Sequence, residues 1–502
     1  EKVGIRKFFA GPESFTPDTN SLLGEVPEVK NFFVSCGLNS VGIGTGGGVG
    51  KVTAEWLMTG HINEDIFNYD IKRFQKYHSN LSFIKNRITE SLGDLYGMHW
   101  PYKQHKTSRN VKTLPYHDLL KDFGACFGVS GGYERPMWFA LDGEKPEYEY
   151  SYNYQNWYPS VEYETNNTIR NIGLFDLTPF SKFELKSEKA HNELQKLCTS
   201  NIKNEIGKCT YTHMLNADGG IEVDLTVVCI GKNHYRIISS AATRERDKFH
   251  IKKHLSEDVE LKDVTDDYNV FGLFGPKSRL LMQKLSDTDF SNENFKFGNS
   301  KNVIINKTEV WVQRLSYVGE LGYELYVRNT ESKNIYEQII KMGKSFNLSN
   351  CGMHALDTMR MESGFLHWGH DMSPEENQYQ ANLVFTISNK KQINFIGKEA
   401  LEKIKNRKQD KRFAMFTLNN SEPGKPLILH DEPIYLGDKI IGRTTSGNYS
   451  FNYKKNLAFG YINNSFCENE LEEKNLYIEI EKKKYLAHLL LKPLKNTKFK
   501  NI

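Results

Sequence analysis

Two short stretches carry the residues best suited to chemistry. The run Gln313-Arg-Leu-Ser-Tyr-Val-Gly-Glu-Leu-Gly-Tyr-Glu-Leu-Tyr-Val327 sets Gly319 and Gly322 three apart among aromatic and acidic residues. Alternation through Tyr323, Leu325 and Val327 reads as a strand leaving a tight glycine turn. Such a strand can hold Tyr317, Glu324 and Tyr326 around one flat polar ligand. A ring then stacks on the ligand's face while the carboxylate accepts hydrogen bonds from its edge. An ordinary hairpin with strand aromatics fits the same segment. The second stretch, Asn216-Ala-Asp-Gly-Gly220, is a turn leading into a strand over 221–227. Period 2 sends Glu222 and Asp224 to one face and Val223 and Leu225 to the other. That pair of carboxylates can serve a ligand or simply meet lysines at the surface.

A third stretch is rich in glycine. Residues 31–36 read as a buried strand, 37–51 as a loop, and 52–58 as a helix. A glycine loop entering a helix offers bare backbone N–H groups and the positive end of the helix dipole to an anionic or electron-rich ligand. Gly42, Gly44 and Gly47 fit G-x-G-x-x-G only formally. Counting back from Gly50-Lys51 lands on Thr45, so this is not a phosphate loop. His99 and His117 are tempting acid–base groups, but no nucleophile or metal partner adjoins either, so both read as structural. No His/Cys cluster suggests a metal site.

Larger elements must position these groups. At 502 residues the chain exceeds one core, and three or so domains are expected. Hydrophobic residues at 38% suit a globular protein with sizeable cores. The formal charge of +4 is spread over scattered lysines, which supplies no basic groove for nucleic acid. No apolar run approaches the ~20 residues of a membrane span. Seven cysteines without a C-x-x-C pair argue against a disulfide framework and for a reducing compartment. Residues 141–156 turn polar and Tyr-rich and read as a linker or long surface loop, with a boundary near Trp157. Arg360 and Glu362 lie on an expected helix as a buried ion pair. Residues 427–430 and 477–481 suit short strands of a small barrel.

The 313–327 run resembles the Y-x-G-E-x-G-[FYW]-E signature of the folate-binding aminomethyltransferase (glycine-cleavage T-protein) family. The resemblance begins at Arg170-Asn-Ile-Gly-Leu-Phe-Asp and passes through 211–225 and Phe271-Gly-Leu-Phe-Gly-Pro276. It resumes at 355–364, Trp368-Gly-His-Asp371, Phe395-Ile-Gly-Lys398, Gly442-Arg-Thr-Thr-Ser-Gly447 and Leu457-Ala-Phe-Gly-Tyr461, covering 160–490. It implies that Asp224 hydrogen-bonds the pterin and the reacting amine of tetrahydrofolate, with Glu222 as a weaker neighbour. It also implies that Tyr317, Glu324 and Tyr326 contact folate and that Phe385 places a ring near it. One departure matters: where simple T-proteins carry A-R-D, this chain has Ala355-Leu356-Asp357, which disfavours a glycine-cleavage role.

Upstream, Phe15-Thr-Pro-Asp18, Leu23-Gly24 and the glycine run resemble the closing segment of a D-amino-acid-oxidase-type flavoprotein domain. That resemblance implies that Gly42, Ile43, Gly44, Thr45, Gly46, Gly47 and Gly48 lie against the pyrimidine end of FAD. The set Tyr96-Gly-Met-His-Trp-Pro101, Gly124-Ala-Cys-Phe-Gly128 and Tyr133-Glu-Arg-Pro-Met-Trp-Phe139 resembles the connecting domain of dimethylglycine and sarcosine dehydrogenases. The expected architecture is α+β. It comprises the tail of a FAD domain (1–75), a connecting domain (76–156), a tetrahydrofolate-binding domain (157–404) and a C-terminal β-barrel (405–502). The chain starts at Glu1 and is expected to be processed or the downstream part of a longer polypeptide, with the nucleotide-binding half of the FAD domain upstream.

The implied function is oxidative N-demethylation of dimethylglycine or sarcosine, with the one-carbon unit passed to tetrahydrofolate as the 5,10-methylene derivative. Electron-transfer flavoprotein or oxygen would accept the electrons, in a prokaryotic cytoplasm or a mitochondrial matrix. Two alternatives stand beside it: a free-standing folate-dependent aminomethyl or methyl transferase (or demethylase), and a non-catalytic folate-binding module.

Overall fold

The computed structural model describes residues 4–466 and 475–495, which form two compact units. Among the described residues, the first comprises 4–62, 66–99 and 105–109; the second comprises 63–65, 100–104, 110–466 and 475–495. In the first, β1 (Leu22–Glu25) pairs antiparallel with β2 (Phe33–Cys36), followed by α1 (Gly42–Thr59) and α2 (Leu81–Leu95). Trp56 of α1 anchors this unit. It is buried, its ring meets Phe33 edge-on, and the Lys72 ammonium sits 4.6 Å above it. Gly24 has φ +104°, and a Cβ there would stand 2.5 Å from the Trp56 ring, so only glycine lets the ring seat.

The glycine run is not a loop. α1 starts at Gly42 and takes in Gly44, Gly46, Gly47, Gly48 and Gly50. Each glycine costs a helix up to about 1 kcal/mol relative to alanine, which is why the sequence reads as a break. The backbone nevertheless closes its turns, beginning with Thr45 N–H to the Val41 carbonyl at 3.0 Å. β2, expected to be buried, is half-buried to exposed. On α2, Glu90 and Asp94 stand with His105 so that ligand atoms lie within 4.8 Å of one another. Glu90 already spends its carboxylate on the Lys106 and Thr107 backbone N–H groups, at 2.6 and 2.9 Å, clamping that loop.

The second unit opens with α3 (His117–Asp122), the hairpin β3 (Ala125–Ser130) and β4 (Tyr133–Phe139), and α4 (Tyr158–Arg170). Then follow β5 (Ile172–Asp176), β6 (Ser181–Lys186), α5 (Ala190–Leu197), β7 (Cys209–Leu215), β8 (Ile221–Gly231), β9 (His234–Ser239), α6 (Arg244–His254) and β10 (Leu261–Asp263). Next come β11 (Tyr268–Phe274), α7 (Ser278–Leu285), β12 (Ser300–Ile305), β13 (Thr308–Gln313), β14 (Gly322–Arg328), α8 (Ser332–Gly343), β15 (Leu348–Cys351), α9 (Met353–Glu362) and α10 (Lys398–Lys405). The chain ends in β16 (Lys411–Leu418), β17 (Pro433–Leu436), β18 (Lys439–Ser450), β19 (Lys455–Asn463), β20 (Leu476–Ile480) and β21 (Lys483–Leu490).

Beside the β3–β4 hairpin, three larger sheets form among the described residues of this unit. One has five strands in the order β10-β6-β9-β8-β7; another has six, β12-β13-β14-β11-β5-β15; the last six strands close a barrel. Expected strand 477–481 corresponds to β20, whereas 427–430 forms no strand. Period 2 gives each open sheet one apolar outer face. Val223, Leu225 and Val227 of β8 pack with Leu194 of α5 and Ile251 of α6. Tyr323, Leu325 and Val327 of β14 pack with Leu281 of α7 and Ile335 and Ile339 of α8. The alternate residues of the same strands face inward, which leaves a shared space between the sheets.

Residues 141–156 form no regular element, yet Tyr148 is anchored, its hydroxyl 2.9 Å from His354 Nε2. Glu164 of α4 ties the surroundings together. Its fully enclosed carboxyl accepts from Phe139 N–H and Gly352 N–H, each at 2.8 Å, and burial pushes its pKa up to about 8 against those bonds. Glu164→Ala would orphan both buried N–H groups at about 1–3 kcal/mol each. The expected outcome is a clear fall in the thermal unfolding midpoint, with Glu164→Gln, which keeps one acceptor, intermediate.

Candidate functional site

On the faces turned away from those helices, the five-stranded sheet presents polar side chains, and the six-stranded sheet sets Glu324 and Gln313 among Tyr326, Val270 and Phe274. On β7 the inward residues are Cys209, Tyr211 and His213; register places Tyr211 opposite Thr226 and His213 opposite Asp224 on β8. Across the space, β14 offers Glu324 and Tyr326, and β13 sets Gln313 opposite Glu324. Glu324 interacts electrostatically with Cys209, and Asp224 with Tyr317 and Tyr211. Cys209 and His213 are four residues apart on one strand, roughly 13 Å at about 3.3 Å per residue. The site is therefore elongated, with Glu324 toward one end and Asp224 toward the other.

At the Asp224 end, His213 is fully buried, and its Nε2 lies 3.3 Å from Asp224 Oδ1 and 3.3 Å from the Tyr211 hydroxyl. Its Nδ1 lies 3.0 Å from Thr386 Oγ1. Asp224 Oδ1 is itself buried without a well-formed hydrogen bond, while 23% of the side chain remains accessible. Tyr211 keeps 39% of its surface accessible, yet surrounding protein and then the Asp224 charge push its hydroxyl well above its ordinary pKa. Accessible surface on a group enclosed by protein marks a cavity wall. Phe385, 75% exposed, lies roughly parallel to Tyr211 with centroids 6.2 Å apart. Tyr317 stacks on Phe365 and donates to the Leu366 carbonyl at 2.6 Å, which holds its ring still. Gly319 makes that approach possible. Its φ is +72°, and a Cβ there would stand 2.0 Å from Ser363 Oγ.

At the other end, the Tyr326 hydroxyl donates to Glu324 Oε2 at 3.0 Å. Burial pushes Glu324 up to about 7 despite that bond. Gln313 is fully buried, and neither its amide nitrogen nor its amide oxygen has a hydrogen-bond partner among the described residues. An orphaned amide facing a half-protonated carboxyl is a costly arrangement that a ligand with edge donors and acceptors relieves.

Comparison with known proteins decides the family. Residues 116–391 match the GCVT N-terminal domain, residues 411–495 the glycine cleavage T-protein C-terminal barrel domain, and residues 59–113 the FAD dependent oxidoreductase central domain. This chain belongs to the GCVT N-terminal domain family. It is 38% identical over 448 residues to 4-methylaminobutanoate oxidase (formaldehyde-forming) of Paenarthrobacter nicotinovorans, covering 89% of this chain and 54% of that protein. It is 32% identical to human mitochondrial sarcosine dehydrogenase, covering 92% and 54% respectively. The chain thus spans about half the length of these curated relatives. In fold it is similar to the glycine cleavage system aminomethyltransferase T of Bartonella henselae, with a TM-score of 0.65 at 20% identity over 77% of this chain and 98% of that one.

Within this T-protein-like unit, not every expected site residue joins the slot. The β7–β8 register skips Glu222 at a bulge, and its carboxylate is taken by Arg246 of α6 and by Asn216 Nδ2 at 3.2 Å. Glu222 is therefore spent on protein contacts. Arg360 does not pair with Glu362. It binds Asp357 at 2.8 Å and Asp371 at 2.5 Å, while Glu362 accepts from Ser450 and Asn452 beside the barrel. The intervening helical turn, Val384–Thr386, and the loop through Asp371 are tertiary partners that strand patterning does not reveal. Of the residues missed, Tyr211 and His213 could have been read from the same alternation that singled out Asp224; Gln313 and Thr386 leave no such signal.

Asp371 is wholly buried and accepts from Thr445 and Ser446 of β18 as well, so the Arg360 guanidinium neutralises the seam between α9 and the barrel. Arg360→Met would leave Asp371 uncompensated, at a cost of about 3–5 kcal/mol. Loss of the cooperative thermal transition, or a large fall in its midpoint, is the expected outcome. Arg360→Lys should recover only part of it, because one ammonium cannot fork between Asp357, Asp371 and Ser446.

Proposed function

We propose that this chain is the folate-binding half of a flavin-dependent N-methyl amine oxidoreductase. The observation that carries the reading is the slot between the sheets, with an edge-reading carboxyl at Glu324 and a buried-sided carboxylate at Asp224. Tetrahydrofolate suits it. The pterin edge would bond Glu324, with Tyr326 and Gln313 beside it; Tyr317, Tyr211 and Phe385 would present ring faces; and Asp224 would meet the reacting amine. Glu222 supports the Asp224 turn from outside the slot.

An N-methylated amino acid, dimethylglycine or sarcosine on the sequence resemblance, is the proposed amine. FAD, when bound, supplies the hydride acceptor that turns the N-methyl group into an electrophile. The first helix fits that partner. Its N-terminus has no side-chain cap and no acidic residue in its first turn, and a Cβ at Gly44, Gly46, Gly47 or Gly48 would meet nothing within 4 Å. Ile43 is fully exposed on the same turn, and the Thr45 hydroxyl is tied to the Val41 carbonyl. Gly42 to Gly48 would thus lie under a flat, electron-rich ring with the helix dipole directed at it. The electron acceptor, electron-transfer flavoprotein or oxygen, and the compartment, prokaryotic cytoplasm or mitochondrial matrix, are carried in the same proposal. So is the division into segments 1–75, 76–156, 157–404 and 405–502. The oxidoreductase-like residues 59–113 count against a free-standing transferase and against a purely regulatory module.

At the folate end the reaction needs an oriented nucleophile and somewhere for its proton to go. Asp224 supplies both: its accessible oxygen holds the amine N–H and takes the proton as the new N–C bond forms. Tetrahydrofolate binding to this chain, followed by calorimetry, tests the assignment. Saturable binding is expected, weakened tenfold or more by Asp224→Ala and by Tyr317→Ala; a folded chain that does not bind overturns the reading.

Glu324 adds a pH signature. Its carboxyl holds a proton below about 7 in the free protein, and only the carboxylate accepts from two edge donors. Affinity should be flat above pH 8 and fall as pH drops below 7, approaching tenfold per unit. Glu324→Gln is expected to weaken binding at pH 8 and to remove most of that dependence.

A further inference from the structure

The hydrogen bonds around His213 determine where its proton sits. The Thr386 hydroxyl has one hydrogen, and it is donated to the Leu383 carbonyl at 2.7 Å. Thr386 Oγ1 can therefore only accept from His213 Nδ1, 3.0 Å away, so a neutral ring carries its hydrogen on Nδ1. Nε2 is then a bare lone pair, and it points at Asp224 Oδ1 and the Tyr211 hydroxyl, each 3.3 Å distant. A lone pair facing a carboxylate oxygen that lacks a well-formed hydrogen bond is unfavourable until a proton lies between them.

We propose that His213 is a positioning residue that stores the proton released at Asp224, and that Thr386 fixes the tautomer that lets it do so. This rests on the folate reading above. In the step itself, the folate amine nitrogen bonds to the one-carbon electrophile, whose π pair returns to its nitrogen or oxygen. The amine's proton passes to the Asp224 carboxylate and is then shared with His213 Nε2; no electrons are exchanged with the protein. The outer carboxylate oxygen takes the proton from the ligand nitrogen, and rotation of the protonated carboxyl turns that O–H toward His213 Nε2. Other ionisable groups facing the pair are Tyr211 of β7, Tyr317 before β14, and Asp247 of α6, which burial pushes up to about 7 against the hydrogen bond it accepts from Thr243. None of these presents a bare nitrogen to Oδ1.

Two measurements on the full chain test this. Nitrogen-15 NMR of histidine-labelled protein, with His213→Gln assigning the resonance, should show a neutral His213 ring protonated on Nδ1. Hydrogen on Nε2 of the neutral ring overturns the proposal without any folate present. The second follows 5,10-methylenetetrahydrofolate formation from tetrahydrofolate and formaldehyde, beside the tetrahydrofolate Kd. His213→Gln and Thr386→Val should lower the protein-dependent rate tenfold or more with Kd changed less than about twofold, and Thr386→Ser should restore it. Unchanged rates in both variants, or rate and affinity lost together, overturn the proton-storage role. If the unsubstituted chain does not bind tetrahydrofolate, the folate reading fails and this role with it, an outcome distinct from both because there the parent protein binds.

Discussion

Two sheets, each sealed on one side by helices, have to bury ionisable groups on their other faces, and that constraint organises the second unit. Burying ionisable groups between sheets is tolerated only where each finds a partner or stays neutral. Lys182 shows the cost. Fully buried on β6, it donates to the Thr178 and Phe180 carbonyls, and burial pushes its pKa down to about 7. Nearby, Glu184 is pulled down to about 2, because its bonds to His234 and Arg236 outweigh its own burial. Where partners are supplied, the inner face is structural. Partners are withheld from the Gln313 amide and from Asp224 Oδ1, and Glu324 has the Tyr326 hydroxyl.

The same logic separates support from site along the seam with the barrel. Arg360, Asp371 and the hydroxyls of Thr445 and Ser446 form a closed set, and the Tyr461 hydroxyl donates to the Asp371 carbonyl at 2.8 Å. This set fixes the loop carrying Phe365 and Leu366, against which Tyr317 is held. The barrel thus acts on the slot at a distance, by holding a loop that holds a ring. Carboxylates satisfied in this way, including Glu222 on Arg246, are poor ligand readers however suggestive their sequence positions.

The two ends of the slot differ in kind. Glu324 is pushed up to about 7 by burial, against the single bond from Tyr326. Asp224 has one accessible side and one buried side, the buried oxygen turned to His213. The division follows from register. Asp224 stands directly opposite His213, so the two side chains share a face about 5 Å apart at the backbone.

Sequence alone determined the periodicities and, through them, which faces of β8 and β14 are apolar. Val223, Leu225, Tyr323 and Leu325 had to point one way, so Asp224, Glu324 and Tyr326 had to point the other. It also determined the turns at Asn216–Gly220 and Gly319, where side-chain chemistry and positive φ leave little choice, and the motif order that carries the family resemblance. Tertiary structure decided what pairing across distance requires. The glycine run became helix because backbone hydrogen bonding continued through residues of low propensity. Glu222 was claimed by a helix more than twenty residues on, and Arg360 by Asp357 and the loop at Asp371 instead of Glu362. His213 Nδ1 was set against the hydroxyl of Thr386, 173 residues away. Local pattern reports which way a side chain faces; what it meets there depends on contacts that no local pattern encodes.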